Sequence, residues 1–120
     1  MFFGAKVEKI DHYIQKKDSA KLIALLKDSK PENRAKAIQA MGKLGDEQSV
    51  NTLISLLSSP DKELRLEAIK SVGNTENQTI KSHLQHIIQT ETDETFKKAI
   101  RESIAKIPNR DYGTEQKKNY

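Results

Sequence analysis

Residues 22–38 of this chain read LIALLKDSKPENRAKAI, and residues 53–69 read LISLLSSPDKELRLEAI. Compared without gaps, 31 positions apart, eight of the 17 residues are identical. No other feature constrains the fold as strongly. A unit that recurs every few tens of residues cannot bury its apolar face alone and must stack on its neighbours. The register continues through Met41-Gly42 and Val72-Gly73. A third, more divergent copy, HLQHIIQTETDETFKKAIRESIAKI, occupies residues 83–107. Leu84, Ile87 and Ile88 keep the 31-residue offset from Leu53, Leu56 and Leu57. After one extra loop residue, Phe96, Lys97, Ile100 and Ile104 follow Leu64, Arg65, Ala68 and Val72.

Each copy spells two helices. In the first, Leu22, Ile23, Leu25 and Leu26 place an apolar stripe on a short helix that starts near Asp18 or Ser19. Ser29, followed by Glu32, has the spacing of a capping box, and Pro31 suits a first helical turn because its missing N–H has no partner there. A second helix then carries Ala35, Ala37, Ile38, Met41 and Leu44, with Gly45 as its end and Asp46 as a cap for the next. No segment alternates with the period of a strand. Residues 5–16, with Val7, Ile10, Tyr13 and Ile14 on one face, predict a further helix that covers the first end of the stack, where an apolar face would otherwise meet water. Phe2 and Phe3 are expected to pack back on that helix rather than touch a membrane, since two residues anchor weakly. The reading is one domain over residues 1–107, followed by a flexible tail, 108–120, that lacks periodicity.

Composition agrees with an elongated shape. Apolar residues make up 35% and charged residues 32%, polar for a sphere but natural for a stack with much surface. The absence of Cys excludes disulfides, thiolate metal sites and cysteine nucleophiles. No run is long enough to cross a bilayer, and the first residues lack a signal-peptide core, so a cytoplasmic location is expected. The net charge of +4 is uneven. Residues 21–45 contribute +4 (six basic against two acidic) and residues 46–75 contribute −2 (three against five). A basic excess lying largely in one repeat, with six aromatics and no Trp, is a poor match to a nucleic-acid stripe.

The repeat resembles HEAT repeats, especially the short bacterial, phycobilisome lyase-like kind. The resemblance rests on Leu25-Leu26, Asp28, Pro31, Asn33-Arg34, Ala37, Met41-Gly42 and Gly45-Asp46 in the first unit. The second supplies Leu56-Leu57, Pro60, Leu64-Arg65, Ala68 and Val72-Gly73. It spans about residues 18–107 and implies an all-α fold: a short right-handed α-solenoid of about three helical hairpins plus an N-terminal capping helix. It also implies that Arg34 and Arg65 form a structural ladder in the stacking seam, bonding turn carbonyls or carboxylates. Asn33 departs from an aliphatic position and is expected to loosen the first unit. Ser59, in place of the turn Asp, is expected to weaken an Asp–Arg bond in the second. Lys97 for Arg and Ala105 for Gly suit a terminal unit.

Candidate chemistry is thin. His83 and His86 share a helical face, but their repeat equivalents, Thr52 and Ser55, point to solvent, and no third ligand is close in sequence. The chain has no His-Glu dipeptide such as HEAT-like di-iron hydroxylases repeat, and no Trp for the aromatic pocket of HEAT-like DNA glycosylases. No phosphate loop or nucleophile elbow occurs. The expectation is therefore a non-enzymatic protein-interaction module without cofactor or metal. Its partner-binding face is the concave side lined by the second helices: Lys36, Gln39 and Lys43 in unit one, Glu67, Lys70 and Asn74 in unit two, and Arg101 with Glu102 in unit three. The expected partner is an acidic or mixed-charge protein segment. Alternatives are phosphate-backbone contact by the basic first repeat, and a structural subunit that docks through an exposed end near Ile104 and Ile107.

Overall fold

The computed structural model describes residues 4–109; all regular structure among them is helical. Phe2 and Phe3 and residues 110–120 lie outside the described residues. A 3-10 turn, Val7–Lys9, leads into α1 (Ile10–Gln15). Three hairpins follow: α2 (Ser19–Ala24, prolonged by a 3-10 turn, Leu25–Lys27) with α3 (Pro31–Leu44), α4 (Glu47–Leu56) with α5 (Lys62–Val72), and α6 (Gln78–Ile87) with α7 (Glu94–Lys106).

Short polar side chains set most helix starts. Asp18, Asp46, Asp61, Asn77 and Asp93 each accept a backbone N–H from the first turn of the helix they precede, at 2.8–3.3 Å. Such a cap is worth about 1 kcal/mol. The start of α3 differs from expectation. Its cap position is Lys30, which has no side-chain cap, so the Ser29–Glu32 box does not form. Asp28 does the local work instead: its Oδ1 accepts the Lys30 N–H at 2.9 Å and the Asn33 amide at 3.1 Å. Asn33, out of place as a packing residue, thus stitches the turn. Gly45 ends α3 with φ 63°, and its N–H reaches the Met41 carbonyl at 2.9 Å.

The hairpins stand side by side in order. First helices form one layer and second helices the other. The slab measures 61 × 36 × 16 Å, its thickness matching two layers of helix. Tyr13, Leu22, Ile38, Met41, Leu53, Ile69, Val72, Ile80, Leu84 and Ile100 belong to one core that runs the length of the stack. The first-end helix is shorter than residues 5–16, yet it does cover that end. Tyr13 is buried, its hydroxyl accepts the Lys6 N–H at 3.0 Å, and α1 lies against both α2 and α3.

Small residues bring the second helices together. At Gly42 a Cβ would meet the Ser71 carbonyl oxygen at 2.6 Å; at Gly73 it would meet Ser103 Oγ at 3.0 Å. These are repeat-equivalent contacts, α3 on α5 and α5 on α7. Ser103 Oγ donates to the Ile69 carbonyl at 2.5 Å, whereas the buried Ser71 Oγ has no partner. By contrast α2 meets α4 sparingly. The second-helix side is therefore the more closely packed of the two layers.

The far end closes differently from expectation. Ile107 is 1% exposed, not part of an open apolar edge. The buried Lys81 donates to its carbonyl at 2.6 Å and to Asn109 Oδ1 at 2.7 Å, and the Gln78 amide reaches the Pro108 carbonyl at 2.6 Å. A lysine on the last carbonyls of a helix complements its negative end. The chain just after α7 is therefore tied down as far as Asn109.

Two stability predictions follow from the seam. Helix propensity alone would make Gly42→Ala stabilising by about 1 kcal/mol. The contact with Ser71 instead predicts a net loss of about 1–3 kcal/mol, measured by denaturant unfolding. Ser71→Ala should be neutral or stabilising because it removes an unpaired buried hydroxyl, while the equivalent Ser103→Ala should cost about 1 kcal/mol.

Candidate interaction surface

The first turns of α3 and α5 carry the two arginines, and both point back at their own turn. Arg34 Nη1 donates to the Asp28 carbonyl at 2.7 Å; Arg65 Nη1 donates to the Ser59 carbonyl at 2.8 Å. Of the two acceptors the sequence allowed, the structure uses the carbonyl. The expected weakening at Ser59 is accordingly absent, because a backbone oxygen serves whatever side chain follows it. Arg65 also lies over the Phe96 ring of the next unit, 4.7 Å from its centroid, a cation–π contact across the seam. Both guanidiniums thus make contacts within the fold.

The remaining predicted residues fall on the second-helix wall with one exception. Gln39, Lys43, Lys70 and Asn74 are exposed, and Glu67 is half-buried. The Gln39 amide donates to Glu67 Oε1 at 3.3 Å, which bridges α3 and α5 on the outside of the seam. Lys36 is exposed on the flank of α3 that faces α1. It shares a shallow groove of about 250 Å³ with Gln39, Lys43, Glu8 and Asp11. The basic patch of the first unit is therefore mixed, since the 3-10 turn and α1 set two carboxylates, Glu8 and Asp11, opposite its lysines. A phosphate backbone following that row would meet anions, which weighs against the nucleic-acid alternative.

Arg101 is the exception. With the extra loop residue counted, it occupies the register of Ile38 and Ile69, which are 0% and 1% exposed because the following unit packs on them. Arg101 itself is exposed, at the end of the stack rather than on the wall. Ala105, in the register of Gly42 and Gly73, is exposed beside it. The wall positions of α7 are instead Lys98 and Glu102, both exposed; Glu102 matches Lys70 and Gln39 in register. Glu102 was expected on this face together with Arg101; the inserted loop residue, already counted, gives Arg101 the register of Ile69.

Nothing on the wall resembles a reaction centre. No group of three or more His, Cys, Asp or Glu able to hold a metal occurs among the described residues, and His83 and His86 are exposed on α6. The grooves are shallow and open, unlike the enclosed clefts that bury most of a small ligand. No described helix is long and apolar enough to cross a membrane.

Comparison with known proteins agrees with this architecture. A family model for HEAT repeats matches residues 19–105, from the start of α2 almost to the end of α7. No curated protein matches the chain.

The α2–α3 turn has a pH signature. The Lys30 N–H, then the Asn33 amide, and lastly the charges of Lys30 and Arg34 hold the Asp28 carboxyl below its ordinary value, against a smaller opposing effect of desolvation. A carboxylate depressed in the folded state adds stability that is present above its unfolded pKa, about 3.9, and is lost as pH falls through the lower folded value. Wild type should therefore be more stable than Asp28→Asn at pH 7. The gap should narrow below about pH 4, as read by thermal unfolding across a pH series.

Proposed function

This chain belongs to the HEAT-repeat family, whose members in general serve as protein-interaction and scaffolding modules rather than catalysts, and from that premise we propose that it binds a mixed-charge segment of another protein along the wall of α3, α5 and α7. One observation carries the reading. The second helices press closely together, Gly42 against the Ser71 carbonyl and Gly73 against Ser103, so the exposed side chains of the wall keep fixed spacings. Preorganisation of this kind lowers the ordering cost of association. No bond is made or broken, and no cofactor takes part.

The size of the wall sets the strength of binding. Three helices about 8–10 Å apart present a strip roughly 20 Å across, centre to centre. With helices of 11 to 14 residues, about 20 Å long, the strip covers roughly 400 Å², less than the about 800 Å² per partner of a standard interface, and it suits a transient contact with one extended or helical segment. Lys43 and Lys70 face the acidic part of such a segment. Lys43→Glu with Lys70→Glu should reduce capture of the partner by about tenfold or more while leaving the helical circular-dichroism signal and the melting transition in place. Unchanged capture by this folded double variant would remove the wall from consideration.

A further inference from the structure

Between the first turns of α3 and α5 the wall holds a groove whose character differs from the rest of the strip. Its floor is apolar: Ala35, Leu64 and Leu66 are all half-buried there. Leu66 is unexpected, because the same register carries Ala35 in unit one and Lys98 in unit three, so stacking does not demand a large apolar residue at that point. Around the floor stand three carboxylates, Glu32, Glu63 and Glu67. None is in an ion pair among the described residues, where one pair, Lys97–Glu94, is formed. Glu67 holds only the Gln39 amide. Arg34 lines the groove too, but its Nη1 is committed to the Asp28 carbonyl. Complementing the helix dipole explains acids in the first turn, Glu32 and Glu63. It explains neither Glu67, a turn further on, nor Leu66.

We infer that this groove receives an apolar side chain flanked by Lys or Arg from a partner protein. The inference rests on the preceding reading of the wall and specifies its chemistry. The apolar chain covers Leu64 and Leu66, and the neighbouring cation meets the glutamates at the rim, which an acidic segment could not approach without like-charge repulsion. A mixed-charge partner then lies in one direction only. Its basic, apolar part rests at the helix starts, and its acidic part lies towards Lys43 and Lys70.

The test is a titration of the full chain, followed by amide NMR, with two synthetic tripeptides, acetyl-Lys-Leu-Lys-amide and acetyl-Glu-Leu-Glu-amide. The basic peptide should shift amides around residues 32–35 and 63–67 in fast exchange; the acidic one should not. Glu63→Lys with Glu67→Lys should weaken the response at least about tenfold, and Leu66→Asn should weaken it as well. Gln85→Lys, an exposed change on α6 in the other layer, should leave it intact. Equal shifts with the acidic peptide, or equal shifts with acetyl-Lys-Gly-Lys-amide, would overturn the assignment, the latter by reducing it to nonspecific charge. So would concentration-dependent shifts of these amides without peptide, which would make the occupant a second copy of this chain. Failure here with wall-dependent capture intact removes the groove alone, whereas failure of capture to depend on Lys43 and Lys70 removes the wall.

Discussion

A Cβ at Gly42 would stand 2.6 Å from the Ser71 carbonyl oxygen, and one at Gly73 would stand 3.0 Å from Ser103 Oγ. These two close approaches hold the second helices nearer to each other than the first helices are. That spacing makes α3, α5 and α7 the more closely packed of the two layers. Glycine is required there for lack of volume. At Gly45 it is required for its positive φ, which closes α3 and starts the next hairpin. The repeat thus spends its glycines on two separate tasks, and the wall exists because of the first.

Charge on that wall follows from the same stacking. Aligned helices bring like ends together, and acids favour helix starts while bases favour helix ends. Glu32 and Glu63 consequently fall on one edge, and Lys43 and Lys70 lie further along. The arginines of the first two units each turn one nitrogen to a turn carbonyl, and Arg65 also lies over the Phe96 ring. What distinguishes this stack from a generic one is a handful of departures from the repeat: Leu66 on the wall, Glu67 bridged to Gln39, and Arg101 with Ala105 on the final face. The last pair sets a charge where an isoleucine would stack and a methyl where a glycine would be pressed. The third unit is thereby unsuited to receive another in the same register.

The wall was partly legible beforehand. Lys43, Lys70, Gln39 and Asn74 could be placed from helical spacing, since an exposed face of a second helix stays exposed once the apolar face is assigned. Arg101 could not be placed by the same offset, because a single inserted loop residue rotates every later position by about 100° around the helix. Glu8 and Asp11 were missed as neighbours of Lys36, because nothing local reports which flank of α3 the first-end helix will cover. The capping box at Ser29 failed for a related reason: Asp28 was already in place to gather the turn's donors, and the stronger local acceptor won.

The sequence alone determined that the chain forms helical hairpins stacked in order, because the period, the caps and the apolar stripes repeat and no other arrangement buries all three stripes at once. It also showed that Arg34 and Arg65 occupy one repeat-equivalent position. Only the tertiary structure decided which carbonyl each arginine binds, that Lys81 fastens the chain beyond α7, and that two leucines and three glutamates from separate units meet in one groove. The Lys81 tie spans 26 positions and the groove brings Glu32 to Glu63, so their geometry depends on a helix-to-helix distance that no local pattern encodes. Each arginine's carbonyl lies six positions back and depends on how its own turn folds.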